Sequence, residues 1–367
     1  METVSGSERV RKPWTHRPYQ EDDLAGVAEL REDARILAEG SERRSGAPDY
    51  YRWKLRKNPA APGLLEVALS PEGQVVGAAS LTPRRILFDG VVRHSAEIGD
   101  TFTSPAYQRQ GIFSTLVRTL VAGGSDRGIE FIYGTPNDAS LPGYEAKLDF
   151  AQIPGAAVQG LVRPLRATRV LRRRLRRGWV GATAAGVVGP LVTVGYRVAF
   201  PPSRVAAGLD VRRGPEPPKE AQALFETVKA AYRWIMVRDE RYMAWRFQEN
   251  PDAYDFLSAY RGDALAGYLI LKRGRWNGLE VLYFADFLAA DSHAFGALVG
   301  EALRGAPWAD MVSAWTGADG LHADVLRRAG FLRYGRVPVI CHRSALGQSV
   351  ATGSKRWHFT LADSDNI

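Results

Sequence analysis

Apolar and polar residues alternate along residues 14–162 with two different periods, and this predicts a mixed α+β unit. Apolar residues recur every three or four positions through 22–37 and again through 111–122, which is the spacing of amphipathic helices. Strand-like runs are predicted between and around these helices, at 14–17 (ended by Pro18), 95–103, 129–133 and 157–162. Strands and helices mixed in this way are typical of a sheet with helices packed on its faces.

The pattern of the first unit returns in the second half of the chain. Trp53 and Trp245 each begin a short run that ends in Asn-Pro, at Asn58 and Asn250, and both pairs are 192 residues apart. Each run is followed by two strand-like segments around a turn that contains Gly or Asp, as in a β-hairpin. Self-similarity at this period indicates duplicated domains. The predicted division is 1–162, a connector at 163–205, and 206–367.

Length and composition exclude several protein classes. With 367 residues, 45% of them hydrophobic, the chain is long enough for about two domains with their own cores. A single cysteine, Cys341, excludes an intramolecular disulfide framework and a multi-cysteine zinc site, and six scattered histidines argue against a metal enzyme. The polar N-terminus lacks the apolar core of a secretory signal, so a cytoplasmic location is expected.

The net charge of +9 is concentrated largely in the connector. The stretch 163–177 is rich in arginine and precedes 19 uncharged residues that end before Arg197. Five glycines and a proline interrupt this stretch, which makes it a poor membrane span. The preferred interpretation is a pair of amphipathic helices packed on the protein. Peripheral contact of 163–200 with anionic lipid, and a true span, are the alternatives.

Nucleic acid is not expected as a partner, although the chain is basic. The arginine-rich run adjoins apolar sequence and not an aromatic platform on which bases could stack. The run also contains no recognisable groove-reading motif. An anionic small ligand therefore becomes the more attractive partner class.

The most informative segment joins a strand to a helix. The strand 95–103 ends before Pro105, a short polar loop that contains Gly111 follows, and a helix then begins. This order presents several backbone N–H groups together at the positive end of a helix, which favours a phosphate or a pyrophosphate. GxGxxG and GxxxxGK motifs are absent around this loop, which argues against a dinucleotide enzyme and a nucleotide triphosphatase.

Two motifs in this order resemble the GNAT superfamily of acyl-CoA N-acyltransferases. Gln108-x-x-Gly111, between the strand and the amphipathic helix, is similar to the family's pyrophosphate loop. Asn137, followed by a helix that reads Tyr144-Glu-Ala-Lys-Leu-Asp-Phe150, resembles the family's later motif. With the internal repeat, they resemble a tandem-domain branch of the superfamily. The resemblance implies two tandem GNAT-like domains, each a mixed, mostly antiparallel sheet flanked by helices.

The resemblance also implies acetyl-CoA or another acyl-CoA as co-substrate, bound together with an amine that attacks it directly. Backbone groups of the central strand would hold the pantetheine arm, and amides of the loop and first helical turn would hold the pyrophosphate. The implied cofactor-binding residues are Phe102, Thr103, Gln108, Arg109, Gln110, Gly111, Ile112, Phe113, Ser114 and Asn137. Phe113 departs from the family, which usually has Gly or Ala there, and its ring could crowd the pyrophosphate.

Catalytic groups are implied by the same resemblance. Tyr144 would protonate the departing thiolate, which a phenol with an ordinary pKa near 10 can do at neutral pH. Two carboxylates of the central strand, Glu97 and Asp100, are candidates for the base or its water relay. They lie three residues apart, so strand alternation places them on opposite faces unless a bulge intervenes. No metal ion is implied.

The second half lacks the Gln-x-x-Gly loop, which indicates a degenerate copy that shapes the acceptor cleft. Asp286 lies in a strand comparable to that of Asp100 and could face the acceptor. The tail 355–365 is both aromatic and acidic. It is interpreted either as a docked strand, with Asp363 and Asp365 near an amine, or as a frayed end.

The predicted function is N-acyl transfer, most simply N-acetyl transfer, to the amine of a small molecule such as an amino sugar or a natural-product intermediate. Transfer to a lipid-linked acceptor at a membrane surface is the first alternative, suggested by the connector. A non-catalytic module that senses acyl-CoA is the second, suggested by Phe113.

Overall fold

Two β-sheets with helices on their faces make up the structure, a computed structural model that describes residues 11–39, 48–153, 156, 158–174, 179–343 and 356–365. The first sheet has eight strands and the second has seven. Both sheets are mixed, because each contains one parallel strand pair among antiparallel ones. The arrangement confirms the predicted α+β class.

The first half of the chain follows the predicted order of elements closely. Its described strands are β1 (Thr15–Pro18), β2 (Leu64–Leu69), β3 (Val75–Phe88), β4 (Val91–Thr103), β5 (Phe131–Gly134), β6 (Phe150–Gln152) and β7 (Val158–Pro164). Its described helices are α1 (Asp23–Glu39), α2 (Pro48–Arg56), α3 (Ile112–Asp126) and α4 (Leu141–Lys147), with a 3-10 turn at Pro105–Tyr107. The apolar spacing of α3 buries Leu116, Val117 and Leu120 against the sheet, as the helical period predicts.

The second half begins with the connector and then repeats the pattern of the first. Its described strands are β8 (Asp210–Gly214), β9 (Trp234–Met236), β10 (Asp255–Arg261), β11 (Ala264–Trp276), β12 (Leu279–Ala289), β13 (Met311–Gly317), β14 (Leu332–Val337) and β15 (Ile340–His342). Its described helices are α5 (Ala167–Arg174), α6 (Trp179–Ala199), α7 (Ala221–Val228), α8 (Glu240–Met243), α9 (Ser292–Arg304) and α10 (Leu321–Arg328). A π-helical turn at Ala244–Gln248 continues α8, and a 3-10 turn at Leu361–Asp363 lies in the tail.

Strand order shows that the two halves exchange strands. The first sheet runs β1-β2-β3-β4-β5-β15-β6, with β9 paired to the far end of β3, and the second runs β14-β7-β13-β12-β11-β10-β8. Thus β7, from the first half, lies between β13 and β14, while β15, from the second half, lies between β5 and β6. The parallel pairs are β4–β5 and β12–β13.

The predicted strand 157–162 therefore forms, but it does not close the first unit as expected. It pairs with β13 and β14 in the second sheet, so the predicted boundary at residue 162 falls inside β7. Local sequence dictates that such an alternating segment is extended, whereas its pairing partner depends on which sheet edge it reaches in the folded chain.

The two copies of the repeated tryptophan motif meet at the centre of the molecule. The rings of Trp53 and Trp245 stack with centroids 4.8 Å apart and planes 15° apart. Each indole N–H donates to the backbone carbonyl of the other tryptophan, at 2.6 and 3.3 Å. Asn58 and Asn250 also match, since each side-chain oxygen accepts from the backbone N–H two residues later. The repeat thus marks a pseudo-twofold relation between the halves.

The described parts of the connector and the tail are both packed on this body. In the connector, α5 lies against α6, and the Tyr196 hydroxyl of α6 donates to the carbonyl of Gly330. In the tail, residues 357–364 are buried. The tail makes only a single bridge, between Trp357 and Trp234, so it is docked without forming the strand that one interpretation expected.

Candidate active site

Parallel strands β4 and β5 part in the middle of the first sheet. Their pairing begins at Ser95 opposite Phe131 and ends at Glu97 opposite Tyr133. Gly134 follows directly, and a Cβ placed on it would come within 2.9 Å of the Ile98 side chain, so only glycine fits this close approach to β4. Beyond Glu97, the edge of β4 that faced β5 has no pairing in the described chain. Backbone groups there, as far as Thr103, are available to an extended ligand.

A glycine without a capping side chain begins the helix beside this opening. Gly111 is the N-cap of α3, with φ of +90°, and no side chain caps the helix. The left-handed conformation explains the glycine, since Arg109 before it also has a positive φ of +63° and the loop curls tightly. The first helical N–H with a partner in its own turn is that of Thr115, at 3.0 Å from the Gly111 carbonyl. Among the described residues, the N–H groups of 112–114 have no hydrogen-bond partner, and the helix dipole adds positive potential at this end.

Phe113 does not crowd this helix end. Its ring meets the Tyr144 ring edge-on, with centroids 5.0 Å apart. A Cβ placed on Gly143 would lie 2.9 Å from the same ring, so Phe113 covers the Pro-Gly-Tyr turn of α4. Small residues also bring α3 close to the sheet, because a Cβ on Gly77 would collide with Ile112. The aromatic departure from the family pattern is thus absorbed by packing.

Tyr144 is buried at the start of α4, between Phe113 and Phe150. Burial raises the pKa of its phenol, although a hydrogen bond with Thr101 opposes this shift. The phenol therefore stays protonated at neutral pH. Asn137 holds the turn that precedes this helix, because its side-chain oxygen accepts from the N–H groups of Ala139 and Ser140 at 3.1 and 3.0 Å.

A β-bulge brings the two strand carboxylates together. Ala78 pairs with Phe102 and Ser80 with Gly99, so β4 has one more residue than β3 across this interval. The extra residue lies at Asp100, whose φ of +48° is left-handed. A bulge reverses the alternation that would have separated positions 97 and 100. Both carboxylates consequently join one buried cluster.

The cluster is built around Asp365 of the tail. Lys54 Nζ lies 2.6 Å from Asp365 Oδ2 and 2.6 Å from Asp100 Oδ2. Arg84 Nη2 lies 2.7 Å from Asp365 Oδ1. Burial opposes the ionisation of Asp365, but Lys54 and Arg84 outweigh it, and the pKa of the carboxyl is lowered. The tail thus contributes a fixed negative charge to the first domain.

Glu97 completes the cluster, and its carboxyl is held between a backbone donor and a guanidinium. Its Oε1 accepts from the backbone N–H of Asp365 at 3.1 Å. Its Oε2 has no hydrogen-bond partner in the described chain, and Arg84 Nη2 is 3.5 Å away. Burial, followed by the charge of Asp365, raises the pKa of Glu97 to about 8, against the opposing charges of Arg84 and Lys54. Such a pKa suits a base that works close to neutral pH.

Sequence reasoning missed the cations of this cluster and the tyrosine beside it. Lys54 and Arg84 are both buried, as is Tyr51, whose hydroxyl has no hydrogen-bond partner in the described chain. The available signal was the repeat itself, because Lys54 lies at the position that Arg246 occupies in the second copy. Arg246 also reaches the tail, where it donates to the carbonyls of Ala362 and Ser364.

Asp286 and Asp363 form a separate buried network with Arg238. Arg238 donates to both carboxylates, at 2.8 and 2.9 Å for the shortest contacts. Thr360 and Tyr268 donate to Asp286 as well. All of these side chains are buried, so the network joins the tail to the second sheet.

The corresponding helix end of the second domain is closed. Asp291 is the N-cap of α9, and its carboxylate accepts from the N–H groups of His293 and Ala294, at 2.9 Å each. The tail occupies the place where β12 and β13 part, because His358 bonds the Phe287 carbonyl at 3.0 Å. A Cβ on Gly317 would lie 2.5 Å from the Trp357 carbonyl, which shows how tightly the tail is inserted. The described residues contain no group of three or more potential metal ligands.

Residues 15–151 match the family model of the acetyltransferase (GNAT) domain. The matched segment runs from β1 to β6 and includes the parted strands, the glycine loop and Tyr144. No curated protein sequence matches the chain. The predicted resemblance to the GNAT superfamily is confirmed for this domain.

Solved structures resemble nearly the whole chain. A tandem GNAT protein from the clavulanic acid biosynthesis pathway is 16% identical, with a TM-score of 0.60, over 90% of this chain and 98% of that one. Saccharomyces cerevisiae N-myristoyltransferase with bound myristoyl-CoA is 13% identical, with a TM-score of 0.60, over 92% and 84%. A probable N-acyltransferase from Enterococcus faecalis V583 is 12% identical, with a TM-score of 0.58, over 90% and 72%. The likeness confirms the tandem GNAT fold.

Proposed function

Because the chain carries an acetyltransferase (GNAT) domain at residues 15–151, we propose that it is an acyl-CoA-dependent N-acyltransferase acting on the amine of a small molecule. Acetyl is the proposed acyl group, and the cytoplasm is the proposed location. The observation that carries the proposal is the uncapped glycine start of α3 beside the parted strands β4 and β5. The start of α3 would give N–H donors for a pyrophosphate. The parted strands would give a free strand edge for an extended pantetheine arm.

The proposed acyl-CoA site uses mainly backbone groups. Phe102 and Thr103 on β4 would bond the pantetheine amides, as a neighbouring strand would. The N–H groups from Arg109 to Ser114 would surround the pyrophosphate at the positive helix end. The Gln108 side chain lies within this loop, 3.4 Å from the Thr103 carbonyl, and would help to keep its shape. Asn137 would contribute at the far side of the cleft, from the start of α4.

Acyl transfer would need one base and one acid in this cleft. The amine nitrogen would attack the thioester carbonyl carbon, the new C–N bond would form, and the C–S bond would break. Glu97 would take the proton that the nitrogen loses, directly or through a water, because its Oε2 is unpartnered and its pKa is raised to about 8. Tyr144 would give its proton to the departing sulfur. Asp100, paired with Lys54, would keep the charge around Glu97 fixed.

The acceptor amine is proposed to enter between the bulge of β4 and the tail. Asp365 would attract a cationic amine, and Asp286 and Asp363 would hold the tail in place through Arg238. In this proposal the second domain would form one wall of the acceptor site. It also favours a small molecule, since the carboxylates that would meet the amine are themselves buried.

Calorimetric titration with acetyl-CoA tests the cofactor site. The intact chain is expected to bind one equivalent, and Gly111→Asp is expected to weaken binding at least about 100-fold, by placing a carboxylate on the anion site and straining a left-handed residue. Gly262→Asp is the matched control, because Gly262 also has a positive φ, +61°, and open space around it, but lies between β10 and β11 in the second domain. Failure of the intact chain to bind acetyl-CoA would overturn the proposal.

Thiol release from acetyl-CoA across a panel of amines then separates an enzyme from a sensor. Turnover with any amine supports the enzyme. Tight binding of acetyl-CoA without thiol release across amino sugars, amino acids and polyamines would favour the non-catalytic module.

A further inference from the structure

An exposed apolar face runs along the second half of α6. Leu191, Val194 and Val198 are 72%, 61% and 76% exposed. Val188 and Val192 flank them at neighbouring helical positions and are about half exposed. Of the eleven large hydrophobic side chains exposed in the described chain, six lie between residues 188 and 205. Such a concentration on one helix face marks an interaction surface, whereas exposed apolar residues scattered singly need no explanation.

The opposite face of α6 is fixed to the protein, so the apolar face has a defined orientation. Gly189 packs directly on Thr168 of α5. The Thr193 hydroxyl accepts from the backbone N–H of Ala167 at 3.0 Å, and the Tyr196 hydroxyl reaches the second domain at Gly330. The helix is thus held by small and polar residues on its inner side. Leu191, Val194 and Val198 are left facing outward.

The sequence around this face is purely basic. From residue 150 to 209 there is no aspartate or glutamate, whereas there are ten arginines. Removing these ten from the 49 basic residues of the chain leaves 39 against 40 acidic ones, so the whole excess of positive charge lies in this segment. Arg172, Arg197 and Arg204 are exposed, and none of them has an ion pair within the described residues.

We propose that this face, defined by Leu191, Val194 and Val198 and assisted by the exposed Arg172 and Arg197 of the same segment, docks the protein on a bilayer surface with anionic headgroups. An apolar helix face that lies in the plane of the interface, flanked by arginines that meet lipid phosphates, is the arrangement that such binding requires. None of the described helices is long and apolar enough to cross a membrane, which leaves the in-plane orientation. Charge complementarity selects the occupant, because the segment carries ten arginines and no acidic residue. Arg166 and Arg169 pair with Asp310, which leaves the exposed Arg172, Arg197 and Arg204 to meet lipid phosphates.

Vesicle co-sedimentation without any acyl-CoA tests the proposal independently of the acyltransferase reaction. The intact chain is expected to bind vesicles of phosphatidylcholine mixed with phosphatidylglycerol, and to bind pure phosphatidylcholine at least about tenfold more weakly. High salt is expected to weaken the binding strongly. Equal binding to both vesicle types, or no binding to either, would overturn the proposal.

Paired variants test the two parts of the face separately. Leu191→Ser with Val198→Ser, and Arg172→Gln with Arg197→Gln, are each expected to weaken vesicle binding at least about tenfold. Val91→Ser with Val92→Ser is the matched control, because these valines are 49% and 50% exposed on the β3–β4 hairpin. A loss in the control equal to that in the apolar pair would overturn the proposal.

Sedimentation velocity without lipid checks the other occupants. If both the intact chain and the Val198→Ser variant sediment as monomers, the result supports the bilayer as the occupant of this face. A dimer that Val198→Ser dissociates would make the face a self-association surface, and the proposal would fall. A heparin-binding measurement checks for general binding of polyanions. The proposal would also fall if the arginine variants lost binding to both vesicles and heparin while the Leu191→Ser, Val198→Ser variant bound vesicles as well as the intact chain.

Discussion

The two halves of the molecule part a parallel strand pair at the same point and use the resulting space differently. In the first half, β4 and β5 separate after Glu97, next to a helix that begins at Gly111 without a side-chain cap. In the second half, β12 and β13 separate after Phe284, next to a helix that Asp291 caps with its carboxylate. One opening presents free donors, whereas in the other the donors are already satisfied.

The tail accounts for much of this difference. Trp357 and His358 fill the second opening, where Trp357 also stacks on Trp234 with centroids 4.7 Å apart. Beyond that point the same tail crosses to the first domain and delivers Asp365 to Lys54 and Arg84. The segment that fills the opening in the second half thus also contributes a carboxylate to the buried cluster of the first half.

Replacing the carboxyl at the parting point tests the comparison most severely. Glu97→Gln is expected to lower kcat about 1000-fold, within the range for loss of a general base, and to leave the Kd of acetyl-CoA unchanged. In the parent enzyme, kcat should rise with pH and level off above about pH 8, because the pKa of Glu97 is raised to about 8 and only the carboxylate accepts a proton. In the Glu97→Gln variant, this rise of kcat with pH (the acid limb of the profile) should be absent.

A stopped-flow or thiol-release pH profile measures both effects. A variant that keeps the limb with the parent's midpoint would show that another group is the base, with Asp100 as the next candidate.

Removing the charge that the tail delivers is expected to have the next largest effect. Asp365→Asn leaves Lys54 and Arg84 with one anionic partner fewer in a buried site, which should cost about 3 kcal/mol of unfolding free energy. Because the charge of Asp365 helps to raise the pKa of Glu97, the acid limb of kcat should also move to lower pH. Denaturant unfolding and the pH profile report the two effects.

Asp324→Asn is the control for Asp365→Asn. Its partner Arg327 lies at the surface, so the unfolding free energy should change by less than about 0.5 kcal/mol. If the acid limb of kcat in Asp365→Asn keeps the midpoint of the parent enzyme, Asp365 does not influence the base, and the role of the tail is purely structural.

Val325 lies six residues before Phe331, as Tyr144 lies six before Phe150, so only the first half has a phenol at this position. Removing its hydroxyl should have a smaller effect than the changes above. Tyr144→Phe is expected to lower kcat about tenfold, because a thiol with a pKa near 8.5 can also leave as the anion. The ring contacts with Phe113 and Phe150 remain, so acetyl-CoA binding and stability should stay unchanged. Full turnover in the variant, measured by thiol release, would exclude Tyr144 as the acid.

Removing the side-chain cap of α9 is expected to have the smallest effect, and it directly tests the difference between the two helix ends. Asp291→Gly should lower the unfolding free energy by only about 0.3 kcal/mol, because glycine is itself tolerated at an N-cap although the bonds to the N–H groups of His293 and Ala294 are lost. It should not create a second acyl-CoA site, because the tail still fills the space between β12 and β13. Calorimetric titration should therefore give one bound acetyl-CoA per chain; a stoichiometry of two would show that the cap alone had closed the site.

Several elements of the first domain were predictable because their signals are local. The apolar period of α3, the polar loop with Gly111 and the Tyr144 motif lie within one stretch of sequence, and each appears where it was expected. The repeated tryptophan motif also predicted the duplication, and Trp53 and Trp245 prove to be in contact. The bulge at Asp100 was left open, because alternation alone does not reveal where a strand gains a residue.

By itself, the sequence determined the class of fold, the duplication and the position of the glycine loop that precedes α3. These depend on periodicity and on residues close together in the chain. Only the tertiary structure decided that β7 and β15 change sheets and that the tail closes the second opening. It also decided that Lys54, Glu97 and Asp365 share one buried cluster. The physical reason is that strand partners and ion pairs are chosen between segments hundreds of residues apart, where burial and charge compensation act only once the chain is folded.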